Sequence, residues 1–359
     1  MCRVTRRELL LGSAALFSLT KSDWELLESL KVDVKETTAA LPEVGKVDPV
    51  ADGVYFHQGN ILKGHCNNGW IIFEDYVVVI DANVPSGALE VLPKIRAITD
   101  KPIRFAVDTH HHWDHAYGNQ IWVENGAVPV AHTGVVEEMK KTESGYYGNT
   151  PGAWENLAQT RPDVKASKLK PPSLLFPREM IFDDNKKRIE LMHLGVAHTN
   201  GDAFAWMPKE KILFTGDACV NGAFNFVGDG NIEKWVGTLE AAKKLGAKVV
   251  CPGHGARDAE TMLAQQQKFF RTLREKVGAM VKAKKTAEQI RDSAKQLGEE
   301  IKTDKAVSHY VGTSIAAQIE KVYTEMTGNK FPAAQKAATD ARRLHAHAHG
   351  HNHTLSHSV

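Results

Sequence analysis

The chain has 359 residues, of which 42% are hydrophobic and 25% are charged, a balance typical of globular proteins. This length predicts two domains, or one large domain with additions, and either can bury a sizeable core. A formal net charge of +2 is too small to indicate a nucleic-acid or membrane-surface partner. The four cysteines include no CxxC pair, so neither a zinc knuckle nor a disulfide framework is indicated.

The N-terminus resembles an export signal. Residues 5–11 (TRRELLL) are similar to a twin-arginine motif, and residues 9–19 form an apolar stretch. That stretch is shorter than the roughly 20 residues that a membrane span requires. We therefore expect residues 1–44 to be a signal peptide and linker, with the protein exported to the periplasm. The alternative is a basic N-terminus that leads into a short helix of a cytoplasmic protein.

Strands and helices alternate after residue 45, which predicts an α/β layered core. Hydrophobic patterning and turn signals predict strands at 54–56, 70–73, 77–80 and 103–107, and a helix at 86–99. A second half of similar order is expected from 174 to 251, with strands at 180–182, 189–194, 203–206, 212–214 and 248–251, and a helix at 232–245. Two such halves predict a sandwich with helices outside. Residues 140–172 lack periodicity and are expected to form an inserted, substrate-shaping loop.

Residues 257–330 are predicted to form a helical extension. Apolar residues at helical spacing predict helices at 261–282, 286–301 and 306–327, with Asp258 and Thr286 as caps. Residues 331–359 are expected to be a flexible tail, in which histidine occupies every second position from His345 to His353. The tail is interpreted as a metal-gathering arm. An engineered tag and low-complexity drift are the alternatives.

A cluster of metal-ligand side chains, H-x-H-x-D-H, follows the strand predicted at 103–107. It consists of His110, His112, Asp114 and His115, and a helix is expected at 116–124. Alternate residues at a strand end point the same way, so His110 and His112 can share one metal, and His111 should point away. Asp114 and His115 are displaced along the chain and are placed to reach a second metal.

Three further candidate ligands each follow a hydrophobic strand, where sites in open α/β sheets usually lie. They are His198, Asp217 and His254. Glycines beside Asp217 and His254 let the backbone pass close to such a site. Histidine and carboxylate ligands suit zinc, iron or manganese.

With these residues in this order, residues 47–255 resemble the metallo-β-lactamase superfamily. The resemblance implies a four-layer αββα sandwich over residues 45–256 and a two-metal site. One metal would be held by His110, His112 and His198, the other by Asp114, His115 and His254, with Asp217 bridging them. The carboxylate at 217 is similar to the glyoxalase II, lactonase and phosphodiesterase branches, whereas many β-lactamases have cysteine there. Residues 52–55, Trp235 and residues 322–323 also resemble exported zinc metallohydrolases of the quinoprotein-relay type.

The resemblance implies a hydrolase with two zinc ions, iron or manganese being alternatives. The metal pair would turn a shared water into a bridging hydroxide, which attacks the carbonyl of a lactam, lactone, thioester or related ester. Asp114 is the expected catalytic residue, because it would hold or accept the nucleophile's proton. A small-molecule substrate is expected to contact Asn221, Phe224 and Phe226, with Trp70 and residues 146–147 as further aromatic candidates. The alternative for these aromatic residues is packing in the core or within loops.

Three other functions remain open from the sequence. A β-lactamase proper would suit an exported protein, because β-lactams act outside the cytoplasm. An iron-dependent oxidoreductase acting on sulfur compounds would differ in its metal. The histidine-rich tail alone would suit a non-catalytic metal-storage protein, but the complete ligand set argues against that reading.

Overall fold

The computed structural model describes residues 44–144 and 151–331. Twelve strands lie in these residues. They are β1 (Val47–Ala51), β2 (Val54–His57), β3 (Asn68–Ile72), β4 (Val77–Ile80), β5 (Ile103–Asp108), β6 (Val128–His132), β7 (Leu174–Phe176), β8 (Glu179–Asp183), β9 (Arg188–Met192), β10 (Phe204–Met207), β11 (Ile212–Gly216) and β12 (Val249–Pro252).

Eleven α-helices and two short 3-10 turns, Ile61–Lys63 and Ser308–Tyr310, occur in the same residues. The helices are α1 (Pro85–Arg96), α2 (Trp113–Ala116), α3 (Asn119–Glu124), α4 (Thr133–Thr142), α5 (Ala153–Ala158), α6 (Pro162–Lys165), α7 (Ile232–Lys243), α8 (Thr261–Lys282), α9 (Ala287–Asp292), α10 (Ala294–Lys302) and α11 (Ile315–Thr327). Among the described residues, none of these helices is both long and apolar enough to cross a bilayer.

The strands form two sheets. β1 to β7 follow chain order in the first sheet, which is antiparallel from β1 to β4 and parallel from β4 to β7. The second has the order β12-β11-β10-β9-β8 and is antiparallel except for the parallel β11–β12 pair. The prediction that the second half begins near residue 174 is wrong, because Leu174 in β7 pairs with Val130 of the first sheet. A strand of only three residues is too short for its hydrophobic pattern to indicate which strand it pairs with.

Apolar side chains fill three interfaces and make a four-layer αββα sandwich, as the sequence predicts. Val107 of the first sheet and Phe214 of the second lie in the core between the sheets. Helices α1 and α3 cover the outer face of the first sheet, where Trp122 is fully buried. Helices α7 to α11 cover the second sheet around Trp235 and Phe270. Full burial of one such large side chain contributes roughly 1.5–3 kcal/mol.

The helical extension differs in detail from its prediction. Thr286 caps α9 as expected, since its side chain accepts a hydrogen bond from the Gln289 N–H. The helix predicted over 286–301 is divided at Ser293, whose hydroxyl donates back to the Ile290 carbonyl. The predicted cap Asp258 is wrong: α8 begins three residues after it, at Thr261, and Asp258 pairs instead with the backbone of β12.

Two predicted segments fall outside the described residues. The signal peptide and linker (1–44) lie there apart from Val44, and the histidine-rich tail (331–359) lies there apart from Phe331. Tyr146 and Tyr147, predicted near the substrate, lie there as well. The remainder of the predicted insertion forms the end of α4, helices α5 and α6, and connecting loops.

Candidate metal centre

The H-x-H-x-D-H segment leaves the end of β5 and enters two short helices rather than the one predicted over 116–124. Helix α2 already carries Asp114 and His115, and the chain breaks before α3 at Gly118. A Cβ at Gly118 would lie 2.3 Å from the Ala82 carbonyl oxygen, so the backbone must pass that carbonyl closely here. The break is therefore set by a contact with a distant loop rather than by local periodicity.

Three histidines form the first triad: His110, His112 and His198. A ring nitrogen from each lies within 4.8 Å of the others. His198 Nε2 lies 2.8 Å from His112 Nδ1, and the ring centroids of His110 and His198 are 4.7 Å apart. His110 and His198 are each 1% exposed, so the triad sits inside the protein with only His112 reaching its surface.

Asp114, His115 and His254 form the second triad. His254 Nε2 lies 3.1 Å from Asp114 Oδ2 and 3.5 Å from His115 Nε2. His254 follows β12 of the second sheet, whereas Asp114 and His115 lie in α2, the helix that follows β5 of the first sheet. Residues from the ends of both sheets therefore meet at this triad.

Asp217 lies between the two triads. Its Oδ1 is 3.3 Å from His115 Nε2, and its Oδ2 is 3.5 Å from His254 Nε2 and 3.6 Å from His198 Nε2. The close approach depends on glycine: a Cβ at Gly253 would lie 2.0 Å from Asp217 Oδ1. The structure thus brings all seven predicted ligands together at one edge of the sandwich.

Burial and mutual repulsion set the charges of this site. Burial lowers the pKa of His198 to about 3, and His112 beside it acts in the same direction. The pKa of His110 is lowered well below its usual range for the same reasons, with His115 the main neighbour. Both are therefore neutral imidazoles at neutral pH, which is the form that binds metals. Burial would raise the pKa of Asp217, but His254 and His115 outweigh it and keep this carboxylate ionised.

The donor set fits a divalent cation. The first triad offers three imidazoles, the second offers two imidazoles and a carboxylate, and Asp217 adds a carboxylate between them; such ligands are typical of zinc, iron or manganese. His110 Nε2 is buried and has no hydrogen-bond partner among the described residues. Unpaired buried polar atoms cost free energy, and ligation of a cation would offset that cost.

Two further carboxylates, Asp81 and Asp202, support the site. Asp81 Oδ2 lies 3.1 Å from His115 Nδ1, and its Oδ1 accepts hydrogen bonds from the Thr109 N–H and hydroxyl. Asp202 fixes the loop after His198 by accepting from the Thr199 N–H at 2.9 Å and from its hydroxyl at 2.7 Å. Burial raises the pKa of Asp202 to about 7.

Asp229 is a functional candidate that the sequence reasoning missed. Its Oδ2 lies 2.9 Å from His112 Nε2 and 3.8 Å from His111 Nε2. His111 joins neither triad, in keeping with its prediction, but it faces this carboxylate. The available signal was an acidic residue between two glycines, Gly228 and Gly230, three residues before the start of helix α7.

Cys66 was missed as well. Its sulfur, an Asp81 oxygen and a His115 nitrogen lie within 4.8 Å of one another. The side chain is fully buried, and burial raises the pKa of its thiol to about 12, so it stays a neutral thiol beside His115. Nothing in the local sequence marks this cysteine, because Asp81 and His115 reach it from other parts of the chain.

The predicted substrate residues lie in different surroundings. Phe226 and Phe224 border the site, with ring centroids 5.5 Å from His112 and 6.2 Å from His254. The Asn221 side chain instead bonds to the backbone, because its Nδ2 donates to the Ala256 carbonyl at 2.8 Å.

For Trp70, the reading as a substrate contact is wrong and the alternative, core packing, is correct. This side chain is fully buried under helix α1 and stacks on Tyr55 at 5.4 Å. Strand alternation in β3 points it to the outer face of the first sheet, away from the candidate site.

Fold and site together define a metallo-hydrolase domain, and comparison with known proteins identifies its family. The profile of the metallo-β-lactamase superfamily matches residues 62–254, more than half of the chain, so the chain belongs to that superfamily. Its members are generally hydrolases, and the fold implies binding of divalent metal.

Individual relatives are distant. A metallo-β-lactamase type 2 from Pseudomonas aeruginosa is 23% identical over 250 residues, which cover 66% of this chain and 89% of the relative. A solved metallo-β-lactamase from Pontibacter korlensis gives a TM-score of 0.52 at 19% identity, over 63% of this chain and 98% of its own. The DIM-1 metallo-β-lactamase gives 0.50 at 20% identity, over 64% and 98%. These structural likenesses show the shared fold.

Proposed function

We propose that this protein is a zinc-dependent hydrolase with a two-metal site that cleaves a small-molecule lactam, lactone, thioester or related ester. The position of Asp217 carries the proposal, because its carboxylate lies 3.3–3.6 Å from histidines of both triads. The proposed ligands are His110, His112 and His198 for one metal and Asp114, His115 and His254 for the other, with Asp217 shared.

Bound metal ions would supply the nucleophile by lowering the pKa of a coordinated water towards roughly 7. The chain's own residues would accept the proton and bind the substrate. Asp114 is 8% exposed, and His115 and His254 outweigh the effect of burial and lower its pKa, so it is ionised at neutral pH. An ionised carboxylate in this position can hold or accept the nucleophile's proton. Phe224 and Phe226 would bind an apolar part of the substrate beside the site.

A β-lactamase proper is the second candidate. It is favoured by the relatives, since the proteins compared above are metallo-β-lactamases. The carboxylate at Asp217, instead of the cysteine of many such enzymes, favours the broader group of carbonyl substrates.

The test is hydrolysis by the full chain loaded with zinc, on a chromogenic β-lactam, an acyl-homoserine lactone, a glutathione thioester and a phosphodiester. Asp217→Ala should lose turnover and lower the bound metal from two equivalents towards one. Asp183→Ala, which removes an exposed carboxylate paired with Arg188, is the matched control and should keep both. Full metal content and full activity in Asp217→Ala would refute the proposal. Activity with iron alone would favour the oxidoreductase.

A further inference from the structure

Helix α11 of the C-terminal extension binds the backbone of the loop that precedes α7 and of the first two residues of α7; this segment, residues 223–233, is here called the clamp loop. Gln318 Nε2 donates to the Asn225 carbonyl at 2.8 Å, and Lys321 Nζ donates to the Gly228 carbonyl at 2.9 Å. Glu325 accepts hydrogen bonds from the N–H groups of residues 232 and 233, at 2.8 and 3.2 Å. A spacing of three and four residues places these three side chains on one face of the helix.

The contact is buried at its centre. Gln318 and Asn225 are each 1% exposed, and the Glu325 side chain is 8% exposed. Just before α11, a Cβ at Gly312 would lie 2.6 Å from the Ala223 Cβ, so the chain also packs closely on the start of the loop. Loss of a buried hydrogen bond leaves a backbone carbonyl unpaired, which costs more than loss of an exposed one. The helix therefore fixes the clamp loop along its length.

The clamp loop in turn holds two histidines of the first triad. His198 Nδ1 donates to the Phe226 carbonyl at 3.0 Å, and His112 Nε2 lies 2.9 Å from Asp229 Oδ2. These contacts leave His198 Nε2 and His112 Nδ1 facing each other, 2.8 Å apart, inside the triad. Outer partners of this kind fix the ring orientation and tautomer of ligating histidines.

In the second triad, His115 is held by a different part of the chain. His115 is bonded to Asp81, which follows β4, and Asp81 is anchored on Thr109. Among the described residues, the hydrogen bonds of the clamp loop to the site go to His198 and His112, so a disturbance of α11 should affect the first triad much more than the second.

We propose that helix α11 is part of the metal site of this protein: Gln318, Lys321 and Glu325 are positioning residues that orient the first triad through the clamp loop. The inference rests on the proposed metal-binding function. The superfamily match ends at residue 254, so this support comes from a segment that the shared domain does not include.

The test is metal titration of the full metal-free chain with zinc, in competition with a chromophoric chelator. Gln318→Met removes the N–H donor and keeps a buried side chain of similar length. We expect its affinity for one metal equivalent to fall about 10-fold, with the affinity for the other unchanged. Lys321→Met, at a more exposed position, should show the same selective loss and serves if Gln318→Met folds poorly.

The matched control is Val322→Ala, a fully buried position on the same helix that belongs to the apolar core. It should lower thermal stability and leave both metal affinities as in the wild type. Unchanged affinities in Gln318→Met and Lys321→Met would overturn the proposal, as would an equal loss in Val322→Ala. The proposed hydrolase activity fails separately, if the wild-type protein takes up zinc but turns over none of the substrates.

Discussion

Substitution of Asp229 should separate an effect on metal affinity from an effect on the stability of the fold. Its carboxylate lies 2.9 Å from His112 Nε2, and this hydrogen bond is the main reason that the pKa of Asp229 falls to about 2. The side chain is 47% exposed, so the pair should add at most about 1 kcal/mol to folding. Loss of an outer partner of a ligating histidine typically lowers metal affinity 10–100-fold, or about 1.4–2.8 kcal/mol. Asp229→Ala should therefore cost more free energy of zinc binding than free energy of unfolding.

The assay compares zinc affinity, by chelator competition, with urea unfolding of the metal-free chain. Asp229→Asn should fall between wild type and alanine, because the amide oxygen still accepts the hydrogen bond but carries no charge. Asp183→Ala serves again as the control, since its exposed carboxylate pairs with Arg188 away from the site. Wild-type zinc affinity in Asp229→Ala, or a stability loss as large as the affinity loss, would refute the reasoning.

Three further predictions concern pH, the tail and export. Burial and the stacked ring of His193 lower the pKa of His132 to about 4, so the folded state requires the neutral form. Stability should be lost as pH falls from 6.5 towards 4, by about 2 kcal/mol at pH 5, and His132→Asn should remove that part of the slope in urea titrations. Deletion of residues 344–359 should slow zinc uptake at scarce metal and leave turnover of the loaded protein unchanged; unaltered uptake would contradict the metal-gathering proposal. A reporter fused to residues 1–44 should be exported, and replacing Arg6 and Arg7 with lysine should keep it in the cytoplasm, whereas retention of the intact fusion would argue against export.

The sequence alone determined the layered fold and the seven candidate ligands. Hydrophobic alternation is a local signal, so the strands could be placed without knowledge of their neighbours. The ligands share one rule, that each follows a hydrophobic strand, and strand ends meet at one edge of a sheet. The H-x-H-x-D-H segment also places four of the seven ligands within six residues, from His110 to His115, so their grouping is visible in the sequence.

The tertiary structure decided the partners that support those ligands. Asp229 meets His112 across 117 residues of chain, and Gln318 meets the clamp loop across 93. Trp70 entered the outer core instead of the site because its strand turned that face towards α1. Hydrophobic periodicity indicates which side chains are buried, but it does not indicate which residues they pack against. Only the packing of the extension on the sandwich brought α11 to the loop that holds the first triad.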